Sequence, residues 1–346
     1  MSKNNILIFG AGSIGNHMAY ASRKLNLNVD VTDISFNALK RMKDQIFIQR
    51  YGKWDPKINL VSIENVYKQN KKYKLIIIGT PPNTHFQIFK KVSQNIKYEN
   101  ILIEKPLINF NSQNYKKFND NKGRVFCGYN HSLSSAFKYF FEIIKKLKKN
   151  KKDINRIHVE WKEGWTGILK AHSWLKNEFQ SYLGNLKEGG GALQEHSHGL
   201  HLLLLITNLF KIKFKEKNMN FFSIKNKKRH KYYDCYTNLT LIYKNVFVKY
   251  ETDLISINSR KSVEIDVDNQ KFIIIFNFKQ NVDAVIIKKN KKILKKILFK
   301  KNRSTEFQKE IRHILKIDTL NYLSSPIHFK RGVDVIKIIN KILKKN

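Results

Sequence analysis

From residue 5 to about residue 128, short apolar runs are separated by amphipathic helical patterns: ILIFG, NVDVTD, KLIIIGT, ILIEKP and RVFCGYN. Continuous apolar strands divided by helices imply a parallel sheet buried on both faces. The lysine-rich segment from Ser134 to Lys149 is amphipathic and bridges to the second half of the chain. Beyond residue 150 the pattern changes. IHVEWKEG (157–164) reads as a strand and residues 191–210 read as one helix. NLTLIYKN, VFVKYETDLISI, KSVEIDVD, KFIIIFNF and AVIIKK then alternate only in part, as antiparallel strands with one covered face do. Two helical patterns, TEFQKEIRHILK (305–316) and GVDVIKIINKILKK (332–345), close the chain, and the Lys/Asn-rich stretches near 145–152 and 288–302 read as solvated turns or helix faces.

With 346 residues and 42% hydrophobic content, the chain has the length of two domains with substantial cores. Two cysteines, Cys127 and Cys235, supply neither a disulfide framework nor a thiolate cage, which fits a reducing compartment. MSKNN runs straight into ILIFG without the apolar region of a signal peptide, and no apolar stretch approaches the length of a bilayer span. The expectation is a cytoplasmic protein with no membrane partner. Lys+Arg 66 against Asp+Glu 27 gives a net charge of +39, which attracts anions without any specific site. The lysines are spread through the chain in pairs such as Lys145-Lys146, among many asparagines and isoleucines, as AT-rich codon drift would place them. No nucleic-acid-reading motif accompanies them, so no specific nucleic-acid partner is expected.

The first strand, ILIF, opens directly into GAGSIG, with Gly10, Gly12, Ser13, Ile14 and Gly15 leading into a helical pattern. The first glycine permits a tight turn, the second lets backbone approach a pyrophosphate, and the third allows close helix-to-strand packing. Asp33 ends the next apparent strand about twenty residues on, where an acid accepts hydrogen bonds from ribose hydroxyls. An acid there repels a 2′-phosphate and favours NAD, while Ser35 and the nearby lysines leave NADP open.

Two further stretches, GTPPNTH (79–85) and EKPL (104–107), stand at the ends of apparent strands. With GAGSIG, with GYN at 128–130, with GGGAL from 189 and with the terminal GVDVIKII, they resemble the Gfo/Idh/MocA family of NAD(P)-dependent oxidoreductases over nearly the whole chain. The resemblance implies an N-terminal Rossmann domain (1–128) that binds the cofactor. It also implies a C-terminal α+β domain (129–346) for substrate binding and oligomerisation, built on a large, mostly antiparallel sheet. The open face of that sheet would join a homodimer or tetramer. It further implies that Lys105 lies near the nicotinamide and the reacting hydroxyl, with Glu104 and Pro106 setting its position. Thr80, Pro81 and His85 would lie along the cofactor, and Asn130 would face the active site. The chemistry agrees: oxidising an alcohol needs a base within hydrogen-bond reach of the hydroxyl while hydride leaves for the nicotinamide.

One stretch departs from the family. Members usually follow the glycines with an aspartate and then a histidine four residues later; here the acid is Glu195, the histidines are His196, His198 and His201, and the fourth residue on is Gly199. Two alignments stand. Anchoring on a histidine and the position three beyond it makes His198 the catalytic histidine, with His201 where an aspartate often stands. Anchoring on the glycines leaves no histidine in the catalytic position. Helical geometry favours the first, because residues three apart share a face: Glu195 would orient, His198 would exchange the proton, and His196 would point elsewhere. The same side chains suit zinc, yet the spacing is not that of a metal helix and the family chemistry needs no metal, so none is expected. His201, leading into LLLL, also reads as a core residue. Gly189 to Gly191 read as a flexible start that lets substrate approach the backbone.

Residues 160–184 carry Trp161, Trp165, His172, Trp174 and Tyr182, which suit a carbohydrate pocket wall and suit core packing or an oligomer contact as well. The arginine that relatives often carry two residues after the GYN asparagine is Ser132 here. The resulting expectation is an NAD(P)-dependent dehydrogenase or reductase. It would act at a hydroxyl-bearing carbon of a sugar, cyclitol or sugar derivative. The competing reading is a nonenzymatic sensor that keeps the nucleotide fold to regulate a partner.

Overall fold

The computed structural model describes residues 4–119, 122–150, 152–172, 174–215, 218–228 and 230–345. The chain divides into two units, each with its own large sheet. The first comprises the residues up to Ile108, Ser112–Asn130 and Asn302–Val333; the second comprises Asn109–Asn111, His131–Lys301 and the residues from Asp334.

The non-alternating apolar runs become the strands of the first unit. These are β1 (Asn5–Phe9), β2 (Asn28–Thr32), β3 (Ile58–Leu60), β4 (Lys72–Tyr73), β5 (Leu75–Ile78), β6 (Lys97–Tyr98), β7 (Asn100–Ile103) and β8 (Arg124–Cys127). The two-residue strands β4 and β6 pair with each other, and the other six form an all-parallel sheet in the order β3-β2-β1-β5-β7-β8. Ile76, Ile77, Ile101 and Leu102 are fully buried, each contributing about 1.5–3 kcal/mol by leaving water. Such a sheet collects its functional groups at the carboxyl ends of the strands.

A single domain boundary at residue 128 does not describe this unit, because the segment 302–333 returns to it. Helix Arg303–Lys316 packs on helix Ser13–Arg23, with Phe307 stacked on His17 at 5.3 Å. The outer edge of β8 is covered by the same segment. Tyr322 Oη accepts from Val125 N at 2.8 Å, Cys127 N donates to Ile327 O at 2.8 Å, and Phe126 forms a bridge with His328. Unpaired edge groups draw in whatever backbone can satisfy them, and here the distant part of the chain does so.

The second unit holds β9 (Arg156–Lys162), β10 (Met219–Lys228), β11 (Lys231–Tyr243), β12 (Val246–Asp253), β13 (Arg260–Val267), β14 (Gln270–Lys279), β15 (Val282–Lys289) and β16 (Lys292–Lys300). They form one sheet in the order β10-β11-β12-β9-β13-β14-β15-β16, in which β9 and β12 are parallel and the remaining pairs antiparallel. The fold is therefore a parallel Rossmann sheet followed by a large, mostly antiparallel one. The stretch 292–300, expected as a solvated turn or helix face, is instead the edge strand β16. Its lysines leave the strand soluble while guarding its open edge.

Alternation along β9 separates two faces. Ile157, Val159 and Trp161 are buried, and Trp161 meets Gly199 of helix Ser197–Leu209, where an added Cβ would stand 2.8 Å from the tryptophan Cβ. Arg156, His158, Glu160 and Lys162 point to the opposite face, in register with Lys249 and Glu251 on β12 and with Arg260 and Glu264 on β13.

Candidate active site

The GAGSIG turn keeps room for a ligand at one glycine and for protein at the others. Gly10 has φ +104°, and a Cβ there would fall 2.8 Å from the Gly79 carbonyl oxygen. A Cβ at Gly15 would stand 1.9 Å from Gly10 O, so that glycine is required for the helix to meet the strand. At Gly12 an added Cβ meets nothing within 4 Å. Gly12 also caps helix Ser13–Arg23 without a side-chain hydrogen bond, and no acid stands in the first turn. The helix thus presents unspent N–H groups and its positive end to the open side. Ile14 packs over Gly79, its Cγ2 3.1 Å from the position of an added Cβ there, and Ser13 O accepts from Arg50 at 3.1 Å. Asp33 fastens the turn: Oδ2 accepts from Ala11 N at 2.8 Å and Oδ1 from Ser35 N at 2.9 Å. Each oxygen keeps a further acceptor direction for a ribose hydroxyl. An open glycine before an uncapped helix, with an acid at the next strand end, fits a dinucleotide.

At the end of β5 the Thr80 and Thr84 hydroxyls bond at 2.7 Å, and Pro81 is exposed. His85 is fully buried between two carbonyls, Nε2 at 2.8 Å from Thr80 O and Nδ1 at 3.1 Å from Leu107 O. Burial drives its pKa down to about 4 against the pull of those carbonyls. It is a neutral brace tying the threonine turn to the EKPL loop. In that loop Glu104 N donates to Ile78 O at 2.9 Å, Lys105 N lies 3.3 Å from Glu104 Oε2, and the Lys105–Pro106 peptide is cis. Glu104 is buried and Lys105 partly exposed. Both belong to the first unit, as does Asn130, whose Oδ1 is buried without a hydrogen-bond partner.

In the second unit the expected single helix over 191–210 is two. Ala192–Glu195 ends at His196 (φ −94°, ψ 21°), and Ser197–Leu209 begins after it. The break removes the continuous register that would align Glu195 with His198 and His201. His196 is held inward: its carbonyl accepts from the Tyr250 hydroxyl at 3.1 Å, and Nε2 lies 3.3 Å from Glu163 O. His198 remains partly exposed, its ring edge-on to His131 at 4.6 Å and beside Trp161 at 6.0 Å. His201 is buried. His131, directly after GYN, is the neighbour that sequence reasoning missed; its position beside a recognised motif was the available signal.

The three glycines serve packing rather than substrate approach. Gly189 and Gly191 have φ +105° and +93°. An added Cβ at Gly190 would fall 2.2 Å from Leu183 O, and one at Gly191 would fall 2.0 Å from Asp234 Oδ1. Asp234 is fully buried and caps the short helix, Oδ2 accepting from Leu193 N at 2.9 Å and from Thr237 Oγ1 at 3.2 Å. Burial pushes its pKa up to about 7 despite those donors. Gln194, also missed, is buried and ties the helix down, donating to Gly190 O at 2.7 Å and accepting from Phe110 N at 2.6 Å.

Trp165 donates to the Tyr233 hydroxyl at 3.0 Å and packs with Phe179 and Tyr182 over a cluster containing Ile168, Leu183 and Leu254. His172 bonds Ile168 O through Nδ1 at 2.8 Å, edge-on to Trp174. Among the described residues one group of metal-type ligands draws together, His158, Glu160 and Glu251. Side-chain cations already serve these carboxylates: Lys162 and Arg260 on Glu160 at 3.1 and 2.6 Å, and Lys249 on Glu251 at 3.1 Å.

Residues 4–127 match the Gfo/Idh/MocA family model, described as an oxidoreductase family with an NAD-binding Rossmann fold. The match lies on the parallel-sheet unit and agrees with its Rossmann topology. Solved structures of similar fold match the chain beyond that segment. UDP-N-acetylglucosamine 3-dehydrogenase GnnA from Acidithiobacillus ferrooxidans matches with a TM-score of 0.66 at 12% identity, covering 98% of this chain and 96% of its own. KijD10, a 3-ketoreductase from Actinomadura kijaniata solved with NADP and TDP-benzene, matches with a TM-score of 0.69 at 11% identity, covering 98% and 97%. Levoglucosan dehydrogenase in complex with NADH matches with a TM-score of 0.69 at 13% identity, covering 98% and 96%. No curated protein sequence matches the chain. No helix among the described residues is long and apolar enough to cross a membrane.

Proposed function

We propose that the protein transfers a hydride between a nicotinamide cofactor and a hydroxyl-bearing carbon of a sugar, cyclitol or sugar derivative. The observation that carries this reading is the open face at Gly12 on an uncapped helix, in a sheet that also carries Glu104 and Lys105 just past the carboxyl end of β7. Names among the structural relatives, a UDP-N-acetylglucosamine dehydrogenase and a levoglucosan dehydrogenase, support a sugar-like substrate. The bound nicotinamide supplies or accepts the hydride. Gly10, Gly12, Ser13, Ile14 and Gly15 receive the diphosphate, and Asp33 takes the ribose hydroxyls, which favours NAD over NADP. Thr80 and Pro81 line the cofactor's path, with His85 behind them and Glu104 holding the loop. In the first unit Lys105 is the proposed proton-exchanging group and Asn130 the proposed substrate contact; in the second, His198 is the proposed proton-exchanging group, Glu195 its orienting acid, and Trp165, His172 and His201 the proposed substrate contacts.

The outer face of the second sheet supports assembly into a homodimer or tetramer. Phe222, Ile224, Ile242 and Phe247 lie exposed on one side of the charged band. An apolar face of this kind finds its cover in association. Cys127 and Cys235 are free and buried, consistent with a cytoplasmic protein.

The test is reduction of NAD+ against a panel of sugars, cyclitols and sugar nucleotides. Lys105→Met is expected to lower kcat by about 10²–10⁴-fold with little change in cofactor affinity. The altered Glu195–His198 spacing is the one observation favouring a nonenzymatic sensor, and tight NAD binding without turnover of any substrate would establish that reading instead.

A further inference from the structure

Strands β15 and β16 form a hairpin at the edge of the second sheet, at the opposite end from β10. Its turn is tight. Lys289 pairs with Lys292, and Asn290 and Lys291 between them have φ of 47° and 67°, as a two-residue hairpin turn requires. Residues 288–301 contain eight lysines and no acid. Lys301 is paired with Asp283 at 2.6 Å, and the Lys296 ammonium lies 4.2 Å from the centre of the Phe278 ring. Among the described residues the side chains of Lys288, Lys289, Lys291, Lys292, Lys295 and Lys300 have no ion-pair partner. The middle of the same sheet is different: there Lys162, Lys249 and Arg260 meet Glu160 or Glu251 at 2.6–3.1 Å. Codon drift accounts for lysines in both places, but only the hairpin leaves its charge uncompensated.

Charge alone guards an open strand edge. Guarding does not call for apolar side chains, yet Ile293, Leu294 and Leu298 are 57%, 58% and 51% exposed. Leu298 lies opposite Ala284 and Ile293 opposite Lys288, alternate positions on β15 that share one face. Phe299, on the other face, meets Tyr139 of helix Ser135–Lys149 at 5.7 Å, so Ile293 and Leu298 point away from that helix. The register shift at Ile287/Lys288 leaves Leu294 as the extra residue of a bulge. Lys289 and Lys292, directly opposite one another, repel, and Lys291 holds a left-handed conformation that glycine or asparagine takes more readily. Stability supplies no reason for these choices.

We propose that the β15–β16 hairpin is a docking surface for an anionic lipid bilayer. Ile293, Leu294 and Leu298 enter the boundary between headgroups and acyl chains, with the lysine stems beside them and the ammonium groups among the lipid phosphates. Nucleic acid offers phosphates but no apolar phase to receive the aliphatic side chains. A second copy brought to the same edge sets lysines against lysines. Contact at a bilayer surface needs no spanning helix, so it is compatible with the lack of one among the described residues.

The full chain is tested by flotation with vesicles of phosphatidylcholine, with and without phosphatidylglycerol. Binding is expected only to the anionic vesicles and is expected to fade at high salt. Lys292→Gln with Lys295→Gln should weaken it by about tenfold or more, and Ile293→Ser with Leu294→Ser by severalfold, both at an unchanged melting temperature. Lys43→Gln with Lys53→Gln, an equal loss of charge at exposed positions of the first unit, should change it little. No binding to anionic vesicles would overturn the proposal. An equal loss in the Lys43/Lys53 variant would also overturn it, because overall charge and not the hairpin would then be acting. Full vesicle binding without Ile293 and Leu294, matched by the same affinity for a DNA duplex, would make the hairpin a general polyanion surface instead. A smaller sedimenting mass in either hairpin variant would make it an interface between copies of the chain.

Discussion

Two glycine-rich turns, 10–15 and 189–191, look alike in sequence and do opposite things. In the first, Gly12 faces open space before an uncapped helix. In the second, an added Cβ at Gly190 or Gly191 would fall 2.0–2.3 Å from backbone carbonyls or the buried Asp234 carboxyl. One turn is glycine-rich so that something else can come near; the other is glycine-rich because the protein is already there. What distinguishes them is the occupant of the missing Cβ, which belongs to tertiary structure and leaves no trace in the motif.

The contrast can be broken by substitution. Gly191→Ala is expected to have the largest effect, since it combines φ +93° with a Cβ 2.0 Å from Asp234 Oδ1. A loss of about 3 kcal/mol or more in urea unfolding is anticipated, and a loss below about 1 kcal/mol would mean that the second turn is not filled as described. Gly12→Ala should leave unfolding within about 0.5 kcal/mol but weaken NADH binding by about tenfold, or 1.4 kcal/mol, as read by fluorescence titration. Unchanged affinity would show that the open space is not the cofactor's.

Charge offers a finer contrast between the core and outer sides of the second sheet. Burial raises the Asp234 pKa to about 7, so its stabilising contribution is full at low pH and is lost as pH rises toward that value. Asp234→Asn should flatten this loss, gaining about 1 kcal/mol on the wild type between pH 6 and pH 8; parallel stability curves would count against it. Glu251 lies on the outer face. Burial would raise its pKa, but hydrogen bonds from Lys249 and His158 and the charge of Lys162 hold it down at about 2. Its contribution is present above the ordinary carboxylate range and fades as pH falls from about 4.5 toward 2. Glu251→Gln should therefore lose its disadvantage in melting temperature over that acid interval; a disadvantage that stays constant with pH would count against the pairing.

Much of the fold was legible because burial on two faces writes continuous apolar runs, as in LIII at 75–78 and NILI at 100–103. The glycine turn after β1 and its tie to Asp33 were legible because the glycines, the acid and the strand before them are close in sequence. The break at His196 was not, because LQEHSHGLHLLLL keeps helical composition while Tyr250 and Glu163, far along the chain, hold His196 out of register. Strand β16 was hidden by the lysines that an exposed edge strand carries. The place of His85 in the GTPPNTH motif was legible, and so was its nearness to Thr80; its second carbonyl partner, Leu107, stands 22 residues on and was not.

The return of residues 302–333 to the first unit has a consequence for synthesis. Strand β8 leaves the ribosome with its outer edge bare, and residues 131–301 must follow before Tyr322, Ile327 and His328 can cover it. At typical elongation rates that interval lasts on the order of ten seconds or longer. During it the nascent first unit carries an uncovered strand edge, until the segment holding Tyr322, Ile327 and His328 seals it.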